Sequence, residues 1–143
     1  MQCGYLTDVE GNYEYFDRYV EISKVLEWAN PEKTSLLLKD GAYFVFGGDS
    51  QDKGTGDIRF VKMMLALKEK YPDRVFFIIG NRDANKLRLT TELSEEALQS
   101  PEVKTDPTFP YWVAKDKVVT PEMYCKANNV LDTPVNRLKW LLK

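Results

Sequence analysis

Three short segments concentrate oxygen donors and fixed charge: Asp8-Val9-Glu10-Gly11-Asn12, Gly48-Asp49-Ser50-Gln51-Asp52-Lys53-Gly54 and Gly80-Asn81-Arg82-Asp83. Asp8 and Glu10 stand two residues apart, so on an extended segment both carboxylates point to one side and can share a hard divalent cation. Taken alone, the pair reads as solvated strand-end acids or a cap for the next helix. In the second segment, glycines let the backbone approach an anion or metal, and Asp49 and Asp52 supply ligands or orient them. A calcium loop starting at Asp49 fails, because Gln51, Lys53 and Phe60 fall at its ligand positions. A phosphate-binding P-loop fails too, since no Gly-Lys-Ser or Gly-Lys-Thr closes the segment. The third segment offers an amide oxygen at Asn81, a permanent cation at Arg82 and a further carboxylate at Asp83.

Such groups act together only if the fold brings them to one place. Gln2 to Leu6 reads as a strand running into the first segment, and Tyr13 to Ala29 shows near-helical spacing of Phe16, Tyr19, Val20, Ser23, Leu26 and Trp28. Ala42 to Phe46 and Val75 to Ile79 are continuous apolar runs, as expected of strands buried on both faces. Each opens into the next segment. Asp57 reads as the N-cap of a helix through Lys70 with Ile58, Val61, Leu65 and Met64 or Lys68 along one side, and Ala84 to Leu89 as helical. Three strand-turn-helix units in succession predict an α/β fold with mostly parallel strands, whose ligands gather at the carboxyl ends of the strands. That edge makes Asp8, Glu10, Asp49, Asp52, Asn81 and Asp83 candidates for one convergent site.

Composition narrows the function classes. The chain of 143 residues suits one domain, and its formal charge of -2 with interspersed signs gives no direct signal for nucleic acid or an anionic membrane. No apolar run can cross a bilayer and no secretory leader is evident, so the expected compartment is cytoplasmic. Cys3 and Cys125 form no CxxC pair and read as reduced thiols. The chain contains no histidine, which excludes histidine acid-base work within it and removes the commonest nitrogen ligand for zinc or iron. After Ser100 the texture changes. Pro101, Pro107, Pro110 and Pro121 punctuate an irregular stretch carrying Phe109-Pro110-Tyr111-Trp112, which reads as packing or a partner surface. Asp132-Thr133-Pro134 resembles a helix start, with Val135, Leu138, Trp140, Leu141 and Leu142 as its apolar face.

In order and in context after strands, the three segments resemble the first three motifs of the calcineurin-like metallophosphoesterases, DxHG, GDxxDxG and GNHD or GNHE. The likeness is greatest to the branch containing phosphoprotein phosphatases and diadenosine tetraphosphatases, and it covers Thr7 to Asp83. It implies a four-layer α/β/β/α sandwich and two divalent metal ions that activate a water for in-line attack on phosphorus. By position, Asp8 and Asp49 would bind metal, with Asn81 contributing its amide oxygen. Glu10, at the family's ligand histidine, would keep metal binding but favour manganese or magnesium over iron or zinc. Lys53 falls where phosphatases carry a phosphate-binding arginine, and Asn12 joins it as a phosphate ligand.

Arg82 replaces the histidine that donates a proton to the leaving group, and a guanidinium cannot do this at physiological pH. Its expected partner is Asp52, so the catalytic pair becomes Arg82 with Asp52, binding a phosphoryl oxygen and stabilising charge instead. Leaving groups that need little protonation, phosphoanhydrides or aryl esters, are then favoured over alkyl phosphates. The later histidine motifs of the family are missing, and the helical pattern still runs at Lys143. Residues 1–143 therefore read as a single partial domain, the N-terminal half of the sandwich, with a motif-bearing core over about 1–99, an irregular insertion over about 100–130 and a further helix from about 132. The expected function is metal-dependent hydrolysis of phosphoesters or phosphoanhydrides in a phosphorylated small molecule, a nucleotide or a phosphoprotein. The alternative is a phosphoesterase-like module that binds phosphate, nucleotide or a protein partner with little turnover.

Overall fold

The computed structural model describes residues 1–105 and 113–142. Two compact units are present, 1–86 and 87–143, with the boundary inside one helix. The aromatic segment Phe109 to Trp112 lies outside the described residues.

The first unit is α/β, with a mostly parallel arrangement of strands. Strands β1 (Gln2–Leu6), β4 (Ala42–Phe46) and β5 (Val75–Phe77) form one parallel sheet in the order β1-β4-β5. Leu6 pairs with Phe46, and Phe46 with Phe77, so the three chains leave the sheet at a common edge. The three polar segments begin there. Helix α1 (Tyr13–Ile22) buries Phe16 and Val20, and α2 (Asp57–Lys70) buries Phe60, Met63, Met64 and Leu67 at helical spacing. Phe60 is the centre of this core: its ring packs edge-on at 4.9 Å from Phe16 and 5.1 Å from Phe46.

Several expectations need correction. The core side of α2 is not that of Ile58 and Leu65, which are exposed, because Phe60 and its neighbours at helical spacing pack on the sheet instead. Helix α1 stops at Ile22 instead of reaching Ala29, and Leu26–Trp28 forms β2, paired antiparallel with β3 (Leu36–Leu38). The cause is Ser23, whose backbone is extended and whose Oγ accepts hydrogen bonds from the N–H groups of Val25 and Leu26 at 3.2 and 3.0 Å. A side-chain acceptor here competes with the helical ladder and turns the chain into the hairpin. Ser23→Ala should therefore cost about 1 kcal/mol, read as a lowered urea midpoint with an unchanged slope.

Strands β4 and β5 are also not buried on both faces. In β4, Ala42, Phe44 and Phe46 are buried while Tyr43 and Val45 are only half-buried, and Phe76 to Ile79 are exposed. A run of apolar residues shows only that neither face repels an apolar cover; the described helices α1 and α2 pack on one. Finally, Gly56 caps α2, and Asp57 is its first residue, where a carboxylate still complements the positive helix end.

Helix α3 (Asn81–Glu92) opens in the first unit and ends in the second, starting before and running beyond the expected Ala84 to Leu89. The second unit is helical where described: α4 (Glu95–Gln99), α5 (Pro101–Thr105), a 3-10 turn (Lys115–Lys117), α6 (Pro121–Asn128) and α7 (Pro134–Leu141). The stretch read as irregular thus contains α5 and α6. Thr120 caps α6 by accepting from the Met123 N–H at 3.2 Å, with Pro121 as the first helical residue, a start signal of the same kind as Thr133-Pro134 in α7. In α7 the buried residues are Arg137 and Trp140, whereas Val135 and Leu142 are exposed. Asp132 holds the Arg137 guanidinium through Nε at 3.0 Å and a second nitrogen at 2.5 Å, and this paired arginine is buried along with Trp140 of the expected apolar face. No helix among the described residues is long and apolar enough to cross a membrane.

Candidate metal and phosphate site

At the sheet edge the polar segments are tied to one another through the main chain. The Asp8 N–H donates to the Gly48 carbonyl at 3.0 Å, Glu10 N–H to Asp49 at 2.9 Å and Gly11 N–H to Ser50 at 3.0 Å. The Glu10 carbonyl in turn accepts from the N–H groups of Lys53 and Gly54 at 3.1 and 2.6 Å. The third segment packs so closely against the second that a side chain at Gly48 would collide with the Gly80 backbone, and Gly48 also has φ +95°. Only glycine meets both demands.

Asp83 joins the second and third segments. Its carboxylate accepts from the N–H groups of Asp49 (2.7 Å), Ser50 (3.1 Å) and Gly80 (3.0 Å), and from the Ser50 hydroxyl at 2.7 Å. Burial works against its charge, but the bonds from Ser50, Gly80 and Asp49 prevail and hold the carboxyl below its usual pKa.

Asp8, Glu10, Asp49 and Asp52 all have positive φ, at 53°, 46°, 57° and 148°. Non-glycine residues take this region at a conformational cost, and its concentration at one edge of the sheet marks a place where side-chain direction outweighs backbone comfort. The outcome is convergence: Asp8, Glu10 and Asp49 each present a carboxylate oxygen, and these atoms lie within 4.8 Å of one another. An all-oxygen set of this size suits a hard divalent cation, so these residues fit one such ion. Asp49 is buried, and its Oδ1 accepts from the Arg82 N–H at 2.9 Å. Asn81 precedes Arg82 in the chain as the first residue of α3, and it is exposed.

The cations form a chain around the carboxylates. Lys53 Nζ is 2.6 Å from one Glu10 oxygen, and Arg82 Nε is 2.5 Å from the other. Arg82 also pairs with Asp52, the partner expected from the sequence. Lys86, one helical turn beyond Arg82 on α3, reaches the second Asp52 oxygen at 2.7 Å. The hydrogen bond from Lys86, with the charges of Lys86 and Arg82, holds the Asp52 carboxyl below its usual pKa against a burial effect that would raise it. Burial likewise opposes the charge on Arg82, but Asp52 and Glu10 outweigh it and raise its pKa, so no proton leaves this group. Asn12 spends its side-chain oxygen on capping α1, accepting from the Tyr15 N–H at 3.0 Å, yet still lines an open depression of about 480 Å³ with Asp8, Glu10, Tyr15, Arg18 and Lys53.

Lys86 and the scaffold role of Asp83 were not read from the sequence. The spacing of four between Arg82 and Lys86 on a helix was the available signal for the first. For the second, the spacing of three between Gly80 and Asp83 shows only the local bond, because the other partners, at Asp49 and Ser50, lie more than thirty residues away.

Comparison with known proteins adds a partial likeness. The chain is similar to a serine/threonine-protein phosphatase, sitA, of Aspergillus fumigatus, at 38% identity over 56 residues. The match covers 39% of this chain and 14% of the length of that phosphatase. No protein-family model and no solved structure matches the chain. What fold and likeness establish is an α/β chain with a segment similar to a protein phosphatase.

Proposed function

We propose that this chain carries the metal- and phosphate-handling turns of a phosphoesterase related to the calcineurin-like enzymes, cleaving phosphoesters or phosphoanhydrides. The observation that supports this most is the trio Asp8, Glu10 and Asp49 beside Lys53 and Arg82, on turns at the carboxyl edge of a parallel sheet. The cofactors proposed are divalent ions, manganese or magnesium, with Asp8, Glu10 and Asp49 as ligands and Asn81 as a further oxygen donor. Bound there, such ions would acidify a water and neutralise phosphoryl charge. The remaining work falls to the chain. Lys53 and Arg82 bind phosphoryl oxygens, with Asn12 beside them, and Arg82 stabilises charge as the leaving group departs. Asp52 positions Arg82, and Lys86 in turn steadies Asp52. The substrate classes are a phosphorylated small molecule, a nucleotide or, given the phosphatase it resembles, a phosphoprotein, and the compartment proposed is the cytoplasm.

Because Arg82 keeps its proton, protonation of the leaving oxygen is left to water. With manganese or magnesium, the full gene product should cleave p-nitrophenyl phosphate or diadenosine polyphosphates faster than an alkyl phosphomonoester, by on the order of 100-fold in kcat/KM, the contribution of a lost general acid. Equal or faster alkyl ester hydrolysis under matched conditions overturns the assigned role of Arg82. A second reading, a phosphate-binding module with little turnover, is favoured by the ion pairs that engage both Glu10 oxygens. Divalent-metal titration separates the two, since that module would bind no metal.

A further inference from the structure

Glu10 stands in two competing groupings. One of its oxygens lies within 4.8 Å of a carboxylate oxygen of Asp8 and one of Asp49, and the same side chain forms ion pairs with Lys53 at 2.6 Å and Arg82 at 2.5 Å. Lys53 and Arg82 are the cations from which a phosphate site would be built. Asp52 takes the rest of the local positive charge, pairing with both Arg82 and Lys86.

We infer that Glu10 is a built-in counter-anion, which occupies the phosphate-binding cations until a divalent metal takes its carboxylate, so that metal and phosphate bind with positive coupling. The inference rests on the metal reading proposed above.

Three physical points carry it. First, Glu10 is tethered. Its N–H is bonded to Asp49 and its carbonyl to Lys53 and Gly54, so its carboxylate cannot leave by backbone motion and competes with phosphate at high effective concentration. Second, the Glu10 side chain is only 15% exposed and Arg82 32%, so that pair is less screened than one at an open surface, whereas the pair with Lys53, 66% exposed, is the more readily displaced. Third, the carboxylates of Asp8, Glu10, Glu14, Asp49, Asp52 and Asp83 outnumber the nearby cations Arg18, Lys53, Arg82 and Lys86. An approaching phosphate meets surplus negative charge. A divalent cation shared by Asp8, Glu10 and Asp49 removes that surplus and draws the Glu10 oxygens away from Lys53 and Arg82 in the same event. By linkage, phosphate must then tighten metal binding by the same factor.

The test is calorimetric titration of inorganic phosphate into the full gene product, with and without magnesium, for wild type and Glu10→Gln. Wild type should bind phosphate about 10-fold more tightly with magnesium, within the usual span of coupling between sites. Glu10→Gln, a near-isosteric change, should bind phosphate about 10-fold more tightly than wild type without any metal, and magnesium should add little further. Lys53→Ala in the Glu10→Gln background should remove that gain. A Glu10→Gln protein whose metal-free phosphate affinity equals that of wild type overturns the inference. So does a wild type whose phosphate affinity ignores magnesium that it demonstrably binds, an arm that needs no variant to fold. If wild type binds no magnesium while Glu10→Gln gains phosphate affinity, the metal reading fails and the counter-anion contact stands.

Discussion

Asp49→Asn should lower metal-dependent hydrolysis of p-nitrophenyl phosphate by on the order of 100-fold or more, with the protein still folded. Asp49 is the buried member of the carboxylate trio, held at φ 57° with its Oδ1 on the Arg82 N–H at 2.9 Å. An asparagine oxygen can keep that hydrogen bond, so the turn has little reason to change. What goes is the negative charge, in the place where water contributes least to neutralising a divalent ion. Metal affinity should fall together with kcat, and excess manganese should restore part of the rate. Turnover within a few-fold of wild type would remove Asp49 from the metal site and leave the trio as a structural cluster.

Asp83→Ala should destabilise the first unit by about 3 kcal/mol, seen as a fall in denaturant midpoint and in Tm. The carboxylate accepts three backbone N–H groups and one hydroxyl, linking Asp49 and Ser50 to Gly80. Removing it leaves those donors without their partner, and hydrogen bonds to a charged acceptor contribute more than neutral ones. The pH dependence has a definite sign. The pKa of Asp83 is lower in the folded chain than in the unfolded one, so its contribution is full above the ordinary carboxylate range, near pH 4, and fades as pH falls through the folded value. Wild type should therefore lose stability on acidification below about pH 4, and Asp83→Ala should show a shallower dependence there. Parallel acid profiles for the two proteins would show that Asp83 is not a charged clasp. Because Asp83 is no member of the Asp8, Glu10 and Asp49 group, this test is independent of metal chemistry.

How much of this was legible before the structure depends on the range of each interaction. The α/β class, the parallel sheet and the existence of helix α2 follow from local patterns, namely apolar runs of strand length and apolar residues near helical spacing. Which side of α2 is buried does not: Phe60, Met63, Met64 and Leu67 face the core, and Ile58 and Leu65 face out. The end of α1 was misread because apolar periodicity runs on through Leu26 and Trp28, and a single hydroxyl at Ser23 decides against it. In the second unit the capping threonines wrote α6 and α7 equally clearly. Only the α7 start is followed by an evident apolar pattern, whereas the Thr120-Pro121 start ends a proline-punctuated stretch without sustained periodicity.

The candidate site divides in the same way. The types and order of Asp8, Glu10, Asp49, Asp52, Asn81 and Arg82 set what it can offer: hard oxygen donors, a permanent cation and no histidine. Their arrival at one sheet edge followed from the alternation of strand and helix. Charge complementarity between Arg82 and Asp52 was enough to expect their pairing. Tertiary structure alone decided that Glu10 also holds Lys53 and Arg82, that Lys86 closes the chain on Asp52, and that Asp83 serves the backbone. Residue type states what a side chain can bind. Which of several available partners it takes depends on distances of a few ångströms between segments remote in sequence, and those are set by packing.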